Sequence, residues 1–400
     1  MKKYLTMMAV VILSVAFVAG MATAATEAQK RAAIDGGLAW LATQQNADGS
    51  IGTGGVDYRQ SQTGAALLAF LEEKANWGAN TAVYQDVVDK GLNYLFSNAS
   101  VVAISAQPAG NPDGDGNGVG VKLYPGGANS RDTYVTGIAL PAIASSGTPN
   151  ALVTVGPLAG RTDGSGAGGA WTYKDVVQNA MDYSAYGQSD PATGNYRGGW
   201  RYYANYGNSD QSTTQWPVIS AYFASKMGVS LPAWVSTELD YWVKYIQNAT
   251  TGAAGYTSPT SYYGRMNETG ALLIMQDYLG WNTSDARVQA ALTYINDNWK
   301  IGVSSYEGNL GHPYGMWAIY KGLELMIGLD DETTITNLRP DPGDVDNPDH
   351  GWNWFEDYCD YLVNTQNANG SWSGYSSWGT WLATPWYINL SLIHFSEPTR

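Results

Sequence analysis

The chain has 400 residues, of which 44% are apolar and only 14% are charged, so it is long and apolar enough to bury a large core. Its formal net charge of −14 argues against nucleic acid or an anionic membrane as a partner, because both require a basic protein surface. Sixteen Trp and 28 Tyr against six Phe are typical of aromatic side chains that keep a polar group, either in helix packing or around a ligand cavity.

The first predicted element is an export signal at residues 1–25. Lys2 and Lys3 precede an apolar run, and the segment ends in Ala-Thr-Ala at residues 22–24. The apolar run is short for a membrane-spanning helix, although an uncleaved anchor has the same order of features. We expect a secreted or periplasmic protein with no membrane span after signal removal. Since Cys359 is the only cysteine, stability must come from core burial rather than from an internal disulfide.

A short repeated sequence organises the rest of the chain. Each clear copy places an aromatic residue five positions before a glutamine, and these glutamines are Gln45, Gln188, Gln247 and Gln366. Their separations of 143, 59 and 119 residues correspond to two, one and two units of about 60 to 70 residues. Weaker copies near Tyr94 and Tyr294 fill the two gaps. The sequence therefore predicts six units.

Each unit is predicted to contain two helices. The first ends at the glutamine and has apolar residues at spacings of three and four, as at Leu239, Trp242 and Val243. The second follows a glycine-rich loop and is apolar nearly all round, which indicates an inner layer. The predicted second helices cover residues 62–71, 134–144, 214–227, 269–279, 314–327 and 385–393.

Six such helix pairs fit either a closed ring or an open solenoid. A solenoid needs capped ends, whereas the first and last copies are the most alike and neither resembles a divergent cap. We therefore predict an all-α (α/α)6 toroid or barrel, forming a single domain over residues 26–400. Its long loops are expected around 100–130, 146–173 and 328–353, and the starts of its inner helices would surround a central mouth.

The fullest copy of the repeat, aromatic-aliphatic-x3-Gln-x3-Gly-x-Trp, runs from Tyr361 to Trp372. It resembles the QW motif of the squalene-hopene cyclase and protein prenyltransferase superfamily, and the repeat pattern covers nearly the whole mature chain. The resemblance implies a double-layered (α/α)6 toroid in which the QW loops tie the outer helices together. The repeat residues expected to have this structural role are Trp40, Gln45, Gln188, Trp242, Gln247, Tyr361, Gln366 and Trp372.

The catalytic motifs of that superfamily are not intact in this chain. Its second-class cyclases protonate an alkene with the middle acid of Asp-x-Asp-Asp-Thr, and the nearest match, residues 210–214, keeps only Asp210 and Thr214. Its prenyltransferases bind zinc through an Asp-x-Cys pair and a distant His. Asp357 and Cys359 have that spacing, but they lie on a predicted outer helix, so we expect no zinc site there.

Polar and aromatic residues at the starts of the inner helices are expected to converge on the central mouth. Asp210, Asp132 and Glu268 are the candidate catalytic acids, although Asp210 is equally suited to capping the helix that follows it. The predicted ligand-binding residues are Tyr134, Trp200, Arg201, Tyr202, Trp216, Arg265, His312, Tyr314, Trp317 and Trp386.

An acidic, glycine-rich loop resembles the first half of a calcium-binding loop. Asp113, Asp115 and Asn117 stand at its positions 1, 3 and 5, and Gly118 at position 6. Position 12 is Tyr124, so the usual bidentate glutamate is missing. A Ca²⁺ site and a solvated loop are both consistent with this pattern, as they are for the aspartates in the second acidic loop, between residues 341 and 349.

Three functions are compatible with these features. The aromatic excess without an intact catalytic motif favours binding of a small apolar or ring-shaped ligand in a central cavity. The export signal, the acidic charge and the aromatic stacking surfaces also suit a carbohydrate ligand, bound by a polysaccharide lyase or hydrolase. Glycoside hydrolysis would need two carboxyl groups about 5 to 10 Å apart. The third alternative is a divergent terpenoid cyclase.

Overall fold

The computed structural model describes residues 24–126, 131–343 and 351–392. Most of the predicted export signal, the end of the chain after residue 392 and most of the second acidic loop lie outside these ranges. In the described ranges, no helix combines the length and hydropathy that crossing a bilayer requires.

The described chain is mostly helical, as predicted, with the helices arranged in consecutive pairs. The first helices of the pairs are α1 (Glu27–Thr43), α3 (Thr81–Ser97), α5 (Tyr173–Gly187), α7 (Ala233–Ile246), α9 (Ala286–Asp297) and α11 (Trp354–Thr365). The second helices are α2 (Val56–Glu72), α4 (Asp132–Ser145), α6 (Gln211–Ser225), α8 (Arg265–Tyr278), α10 (Pro313–Ile327) and α12 (Thr380–Leu392). Strands β1 (Ser100–Ala103) and β2 (Val119–Lys122) form an antiparallel pair between α3 and α4, with Val101 opposite Val121.

The two helices of a pair differ in burial. Helices α1, α3, α7 and α9 bury one face, as α7 does with Val235, Leu239, Trp242, Val243 and Ile246, whereas α5 and α11 are buried more widely. Even-numbered helices are buried nearly all round. Each even-numbered helix contacts the next one, and α12 contacts α2, so these contacts form a closed cycle. The even-numbered helices are therefore the inner set.

The inner helices begin earlier than the sequence predicted, by up to six residues. Helix α2 begins at residue 56 rather than 62, and α12 at residue 380 rather than 385, which leaves Pro385 inside the helix. The early turns are polar, as in α6, where residues 211–215 are all polar and all buried. Apolar periodicity does not mark polar turns, so the predicted starts of the inner helices excluded them.

The repeated glutamines connect neighbouring outer helices. In each case Nε2 donates to a glycine carbonyl of the same loop and to a main-chain carbonyl of the next outer helix. The carbonyls on those helices are Val87 for Gln45 (2.8 Å), Val235 for Gln188 (3.0 Å), Arg287 for Gln247 (2.7 Å) and Ala33 for Gln366 (2.6 Å). The last of these bonds joins α11 to α1, so the final outer helix is bound directly to the first.

The aromatic residues of the repeat pack beside these bonds. Trp40 lies against Trp381, and the ring of Tyr361 lies near the Arg339 guanidinium. The indole N–H groups of the other two have polar partners: Trp242 donates to the Gln211 side chain and Trp372 to the Leu362 carbonyl, each at 2.8 Å.

A second repeated contact, which the sequence analysis missed, fixes the loop to the inner helix in five of the six described pairs. A threonine hydroxyl in the inner helix accepts a hydrogen bond from a loop N–H; the threonines are Thr63, Thr136, Thr214, Thr269 and Thr384. In α2 and α4 the next residue is glycine, and the inner helices approach closely there. A Cβ on Gly64 would lie 2.4 Å from the Cα of Ala139, and one on Gly137 would lie 2.4 Å from the Cβ of Trp216.

Candidate functional site

The inner helices surround a cavity of about 470 Å³, a volume typical of small-molecule sites. All six inner helices contribute lining residues, and half of the lining is aromatic. The aromatic lining residues are Tyr58, Tyr134, Tyr202, Trp216, Tyr256, Tyr263, Tyr306, Tyr314, Trp378 and Trp386. Val135, Ile138 and Leu382 add aliphatic surface.

One buried wall of the cavity is built from stacked indoles. Trp386 lies between Trp216 and Trp317, with ring centroids 6.0 Å apart on both sides and interplanar angles of 20° and 19°. Each of the three is only 2% exposed, and Trp317 stands behind the lining rather than in it. In the described part of the chain, Nε1 of Trp216 and Nε1 of Trp317 both lack a hydrogen-bond partner, and of these two residues Trp216 is the one that lines the cavity. This wall is apolar and offers one N–H donor.

The mouth of the cavity is lined by exposed tyrosines, in contrast to the buried indole wall. Tyr58, Tyr263 and Tyr306 line it while remaining 42%, 58% and 61% exposed. Tyr263 and Tyr306 contact each other edge to face, with centroids 5.3 Å apart. Exposed aromatic side chains grouped at a cavity entrance are characteristic of a ligand-entry surface.

Asp210 lies behind the lining and caps α6. Its Oδ1 accepts from the Thr213 N–H at 2.7 Å and from the Ser212 hydroxyl at 2.8 Å. Its Oδ2 lies 3.0 Å from Nε of Arg201, an ion pair without a well-aligned hydrogen bond, and 3.3 Å from the Tyr256 hydroxyl. Burial raises the pKa of Asp210, while Arg201 opposes the rise. The capping role anticipated for Asp210 is therefore present in the structure.

Hydroxyl groups extend the Asp210 network to the cavity surface. Ser212 also hydrogen-bonds the Tyr134 hydroxyl, and both residues line the cavity. The hydroxyls of Tyr202 and Tyr256 lie 3.0 Å apart. Hydroxyl hydrogen bonds therefore connect Asp210 to residues that line the cavity.

Glu268 is the buried carboxyl that lines the cavity itself. It lies in the first turn of α8 and is 3% exposed. Its Oε2 has no hydrogen-bond partner among the described residues. Burial, together with the nearby Asp210 charge, raises the pKa of Glu268 well above its ordinary value. The raised pKa favours the neutral carboxylic acid, which in that form can donate a hydrogen bond or a proton into the cavity.

The predicted site residues do not all reach the cavity. Those that line it are Tyr134, Tyr202, Trp216, Glu268, Tyr314 and Trp386. Trp200 instead donates to the Ser184 carbonyl, and Arg265 lies over the Tyr262 ring. Asp132 is held by the Tyr183 hydroxyl at 2.8 Å and by Lys122 at 3.3 Å. The lining tyrosines that the sequence analysis missed, such as Tyr58 and Tyr256, belong to polar turns and loops without apolar periodicity.

Two sequence patterns that resemble metal-binding motifs lie outside the cavity lining. Asp113, Asp115 and Asn117 are in the loop between β1 and β2. Asp357 belongs to the outer helix α11, where it accepts from Trp299 Nε1 at 2.6 Å and pairs with Arg339 at 2.5 Å. Since these partners occupy its oxygens, the spacing of Asp357 and Cys359 does not indicate zinc.

His312 caps α10 and is absent from the cavity lining. Its Nδ1 accepts from the Gly315 N–H at 3.0 Å, and its ring lies 4.8 Å from that of Trp378, a lining residue. Burial lowers the pKa of His312 to about 4. The folded protein therefore resists protonation of this ring at pH values where the unfolded chain, with a pKa near 6.5, accepts the proton.

We expect His312→Asn to reduce acid sensitivity, since asparagine also caps helices but does not titrate. Stability from the neutral ring is complete above about pH 6.5 and is lost as pH falls towards 4, by about 3 kcal/mol. Chemical denaturation of both proteins between pH 4 and 8 measures the effect, and other titrating groups cancel in the difference. A difference in unfolding free energy that is independent of pH would contradict the assignment.

Comparisons with known proteins find similar solved structures but no matching protein family. No protein-family model and no curated protein matches the sequence. Among solved structures, the type II terpene cyclase MstE from Scytonema without ligand is similar, with a TM-score of 0.48 and 12% identity over 91% of this chain and 97% of that chain. A variant of MstE in complex with its substrate, geranylgeranyl dihydroxybenzoate, gives the same values. At this identity no residue of this chain acquires a role from the likeness.

Proposed function

We propose that the protein is a secreted (α/α)6 toroid that binds a small apolar ligand of terpenoid or other ring-containing type in its central cavity. The observation that carries this proposal is the aromatic cavity to which all six inner helices contribute. The closed cycle of inner-helix contacts and the bond from Gln366 to Ala33 support the ring. The sequence of residues 1–25 supports export.

The lining also defines the chemistry of the ligand. Stacked indoles and aliphatic side chains suit an apolar body, which gains affinity by leaving water. Glu268 and the indole N–H of Trp216 are donors without partners among the described residues. A buried donor left without an acceptor is costly, so the best ligand carries an oxygen acceptor on its apolar skeleton.

Tryptophan fluorescence titration tests this proposal directly. Terpenoid alcohols, polycyclic terpenoids and linear isoprenoids are expected to quench the emission saturably, whereas oligosaccharides are not. Ile138→Trp places a larger side chain in the cavity lining and should weaken binding by about 100-fold or more. Val83→Trp, on the exposed side of α3, is the matched control and should bind normally. Absence of saturable binding by every apolar compound, or normal binding by Ile138→Trp, would refute the proposal.

Glu268 favours one second candidate, an acid-catalysed reaction of the divergent terpenoid cyclase type. A raised pKa keeps the proton on Glu268 but also makes it a weaker acid, so protonation of an alkene there would depend on the aromatic rings stabilising the positive charge that results. Incubation with squalene or a prenyl diphosphate, followed by mass spectrometry of the products, tests this candidate. Recovery of unchanged substrate would reject it.

The polysaccharide alternative has less support from the geometry. Glycoside hydrolysis requires two carboxyl groups facing one substrate. Of the three nominated acids, Glu268 lines the cavity, whereas Asp132 and Asp210 have side-chain partners behind it. Asp57 is a second lining carboxyl, but the stacked indoles and aliphatic side chains of the same cavity favour an apolar ligand over a carbohydrate. Oligosaccharides therefore serve as the negative set in the binding titration.

A further inference from the structure

The strongest feature outside the cavity is a group of three aspartates where the β1–β2 loop meets α5. Asp113 and Asp115 belong to the loop, and Asp182 lies 67 residues further along the chain, in α5. One carboxylate oxygen from each of the three lies within 4.8 Å of the other two. Two oxygens bound to one Ca²⁺ at about 2.4 Å can be at most about 4.8 Å apart, so the spacing suits a shared ion.

Asp182 supplies independent evidence for a ligand, because it is fully buried and incompletely bonded. Its Oδ1 accepts from the Gly114 N–H at 3.1 Å and from Gln178 Nε2 at 2.9 Å. Its Oδ2 has no donor within the described ranges. A buried carboxylate oxygen without a donor or a cation is costly in free energy.

The charge of the cluster is also unbalanced. Among the described residues, no lysine, arginine or histidine forms an ion pair with Asp113, Asp115 or Asp182. The buried Asp182 carboxyl also lies beside the carboxyls of Asp113 and Asp115, so both burial and like-charge repulsion disfavour its charged form. A cation would remove both the burial penalty and the repulsion.

The loop is shaped to bring its carboxylates against α5. A Cβ on Gly114 would lie 2.6 Å from Gln178 Nε2 and 3.0 Å from Asp182 Oδ1, so the loop backbone approaches α5 closely at this glycine. Gly116 and Gly118 have φ angles of 81° and 77°, and their N–H groups donate to Asp113 at 2.8 and 2.9 Å. The side chain of Asn179, in α5, donates to Asp115 at 3.0 Å. These contacts hold the loop carboxylates beside Asp182.

We propose that Asp113, Asp115 and Asp182 bind one Ca²⁺, which fastens the β1–β2 loop to helix α5. An all-oxygen set of carboxylates suits a hard cation, and the mixture of loop and helix ligands suits the flexible coordination of Ca²⁺ better than the strict octahedron of Mg²⁺. Water and main-chain carbonyls complete the coordination. Asp182 replaces the missing glutamate of the calcium-loop pattern as the ligand from outside the loop.

Calorimetric titration and thermal unfolding of the full chain, stripped with a chelator, test the proposal. CaCl₂ is expected to bind with one-to-one stoichiometry and to raise Tm by about 5 °C at saturation, with a smaller effect of MgCl₂. Asp182→Asn should abolish both signals. Asp115→Asn, at an exposed loop position where folding is not at risk, should weaken binding by about tenfold or more. Asp297→Asn, an exposed residue of α9, is the control and should respond as the wild type does.

Three outcomes would overturn the assignment. The first is no heat of binding and no Tm shift at 5 mM CaCl₂, a concentration chosen as about the upper end of extracellular affinities. The second is an unchanged response in both Asp182→Asn and Asp115→Asn, which would place the ion elsewhere. The third is an equal response to MgCl₂, which would refute the preference for Ca²⁺.

Discussion

Replacing Lys30 by methionine is expected to lower the free energy of unfolding by about 3–5 kcal/mol. Lys30 lies in α1 and is 2% exposed, and its Nζ is 2.7 Å from Oε2 of Glu356 in α11. Methionine keeps most of the aliphatic volume but removes the ammonium group, so the buried Glu356 loses its main cationic partner. The cost arises from that uncompensated charge rather than from lost packing.

Two further variants serve as controls for Lys30→Met. Lys244→Met breaks an exposed pair with Asp240 on one helix and should cost less than about 1 kcal/mol. Lys30→Met/Glu356→Leu removes both charges and should recover most of the loss. Urea denaturation of the four proteins gives the comparison. If Lys30→Met were no worse than Lys244→Met, the junction of α1 and α11 would not be a principal contact of the fold.

Glu268→Gln is expected to reduce any acid-catalysed turnover by about 10²- to 10⁴-fold, because an amide keeps the shape of the acid but has no proton to transfer. The folded structure should tolerate the change, since glutamine has nearly the shape of the protonated acid, the form that burial favours. Product formation, measured by mass spectrometry, and ligand affinity, measured by fluorescence, separate the two roles. Asp86→Asn, which changes an exposed carboxyl of α3 outside the cavity lining, is the control and should keep its turnover.

The same variant has a pH signature that does not depend on activity. Unfolded Glu268 releases its proton near pH 4.5, whereas the folded protein retains it to a much higher pH. Rising pH therefore favours the unfolded wild type, and the stability that is present in acid is lost as pH rises. Relative to wild type, Glu268→Gln should gain about 1.4 kcal/mol for each pH unit above 4.5, up to the folded pKa. A flat difference, or wild-type turnover in the variant, would remove Glu268 from the acid role.

Much of the helical framework was predictable because its signals are local. An aromatic residue five positions before Gln45, Gln188, Gln247 and Gln366 marked the outer-helix ends, and apolar spacing marked the inner helices. The starts of the inner helices were placed too late, since their first turns bury polar residues such as Gln211 and Thr213. Such turns have no apolar periodicity, and their hydrogen-bond partners come from other segments.

The candidate sites depended more strongly on long-range contacts. Trp216 and Trp386 reached the cavity as expected, whereas Trp317 stands behind Trp386 and Arg201 pairs with Asp210. For the three tryptophans, a difference of about 100° per residue in direction around a helix decides which ring faces a ligand, whereas Arg201 lies in the loop before α6. Asp182 was indistinguishable from any other helical aspartate, because its role depends on a loop that precedes it by more than 60 residues.

By itself, the amino-acid sequence determined the helical class, the six-fold repeat and the positions of the glutamines between outer helices, because spacing along the chain sets periodicity and helix ends. Only the tertiary structure decided which aromatic rings enclose the cavity, which carboxyl is buried in its lining and which aspartate completes the loop cluster. Those properties depend on burial and on distances between segments far apart in the chain, and hydrophobic spacing along one segment specifies neither.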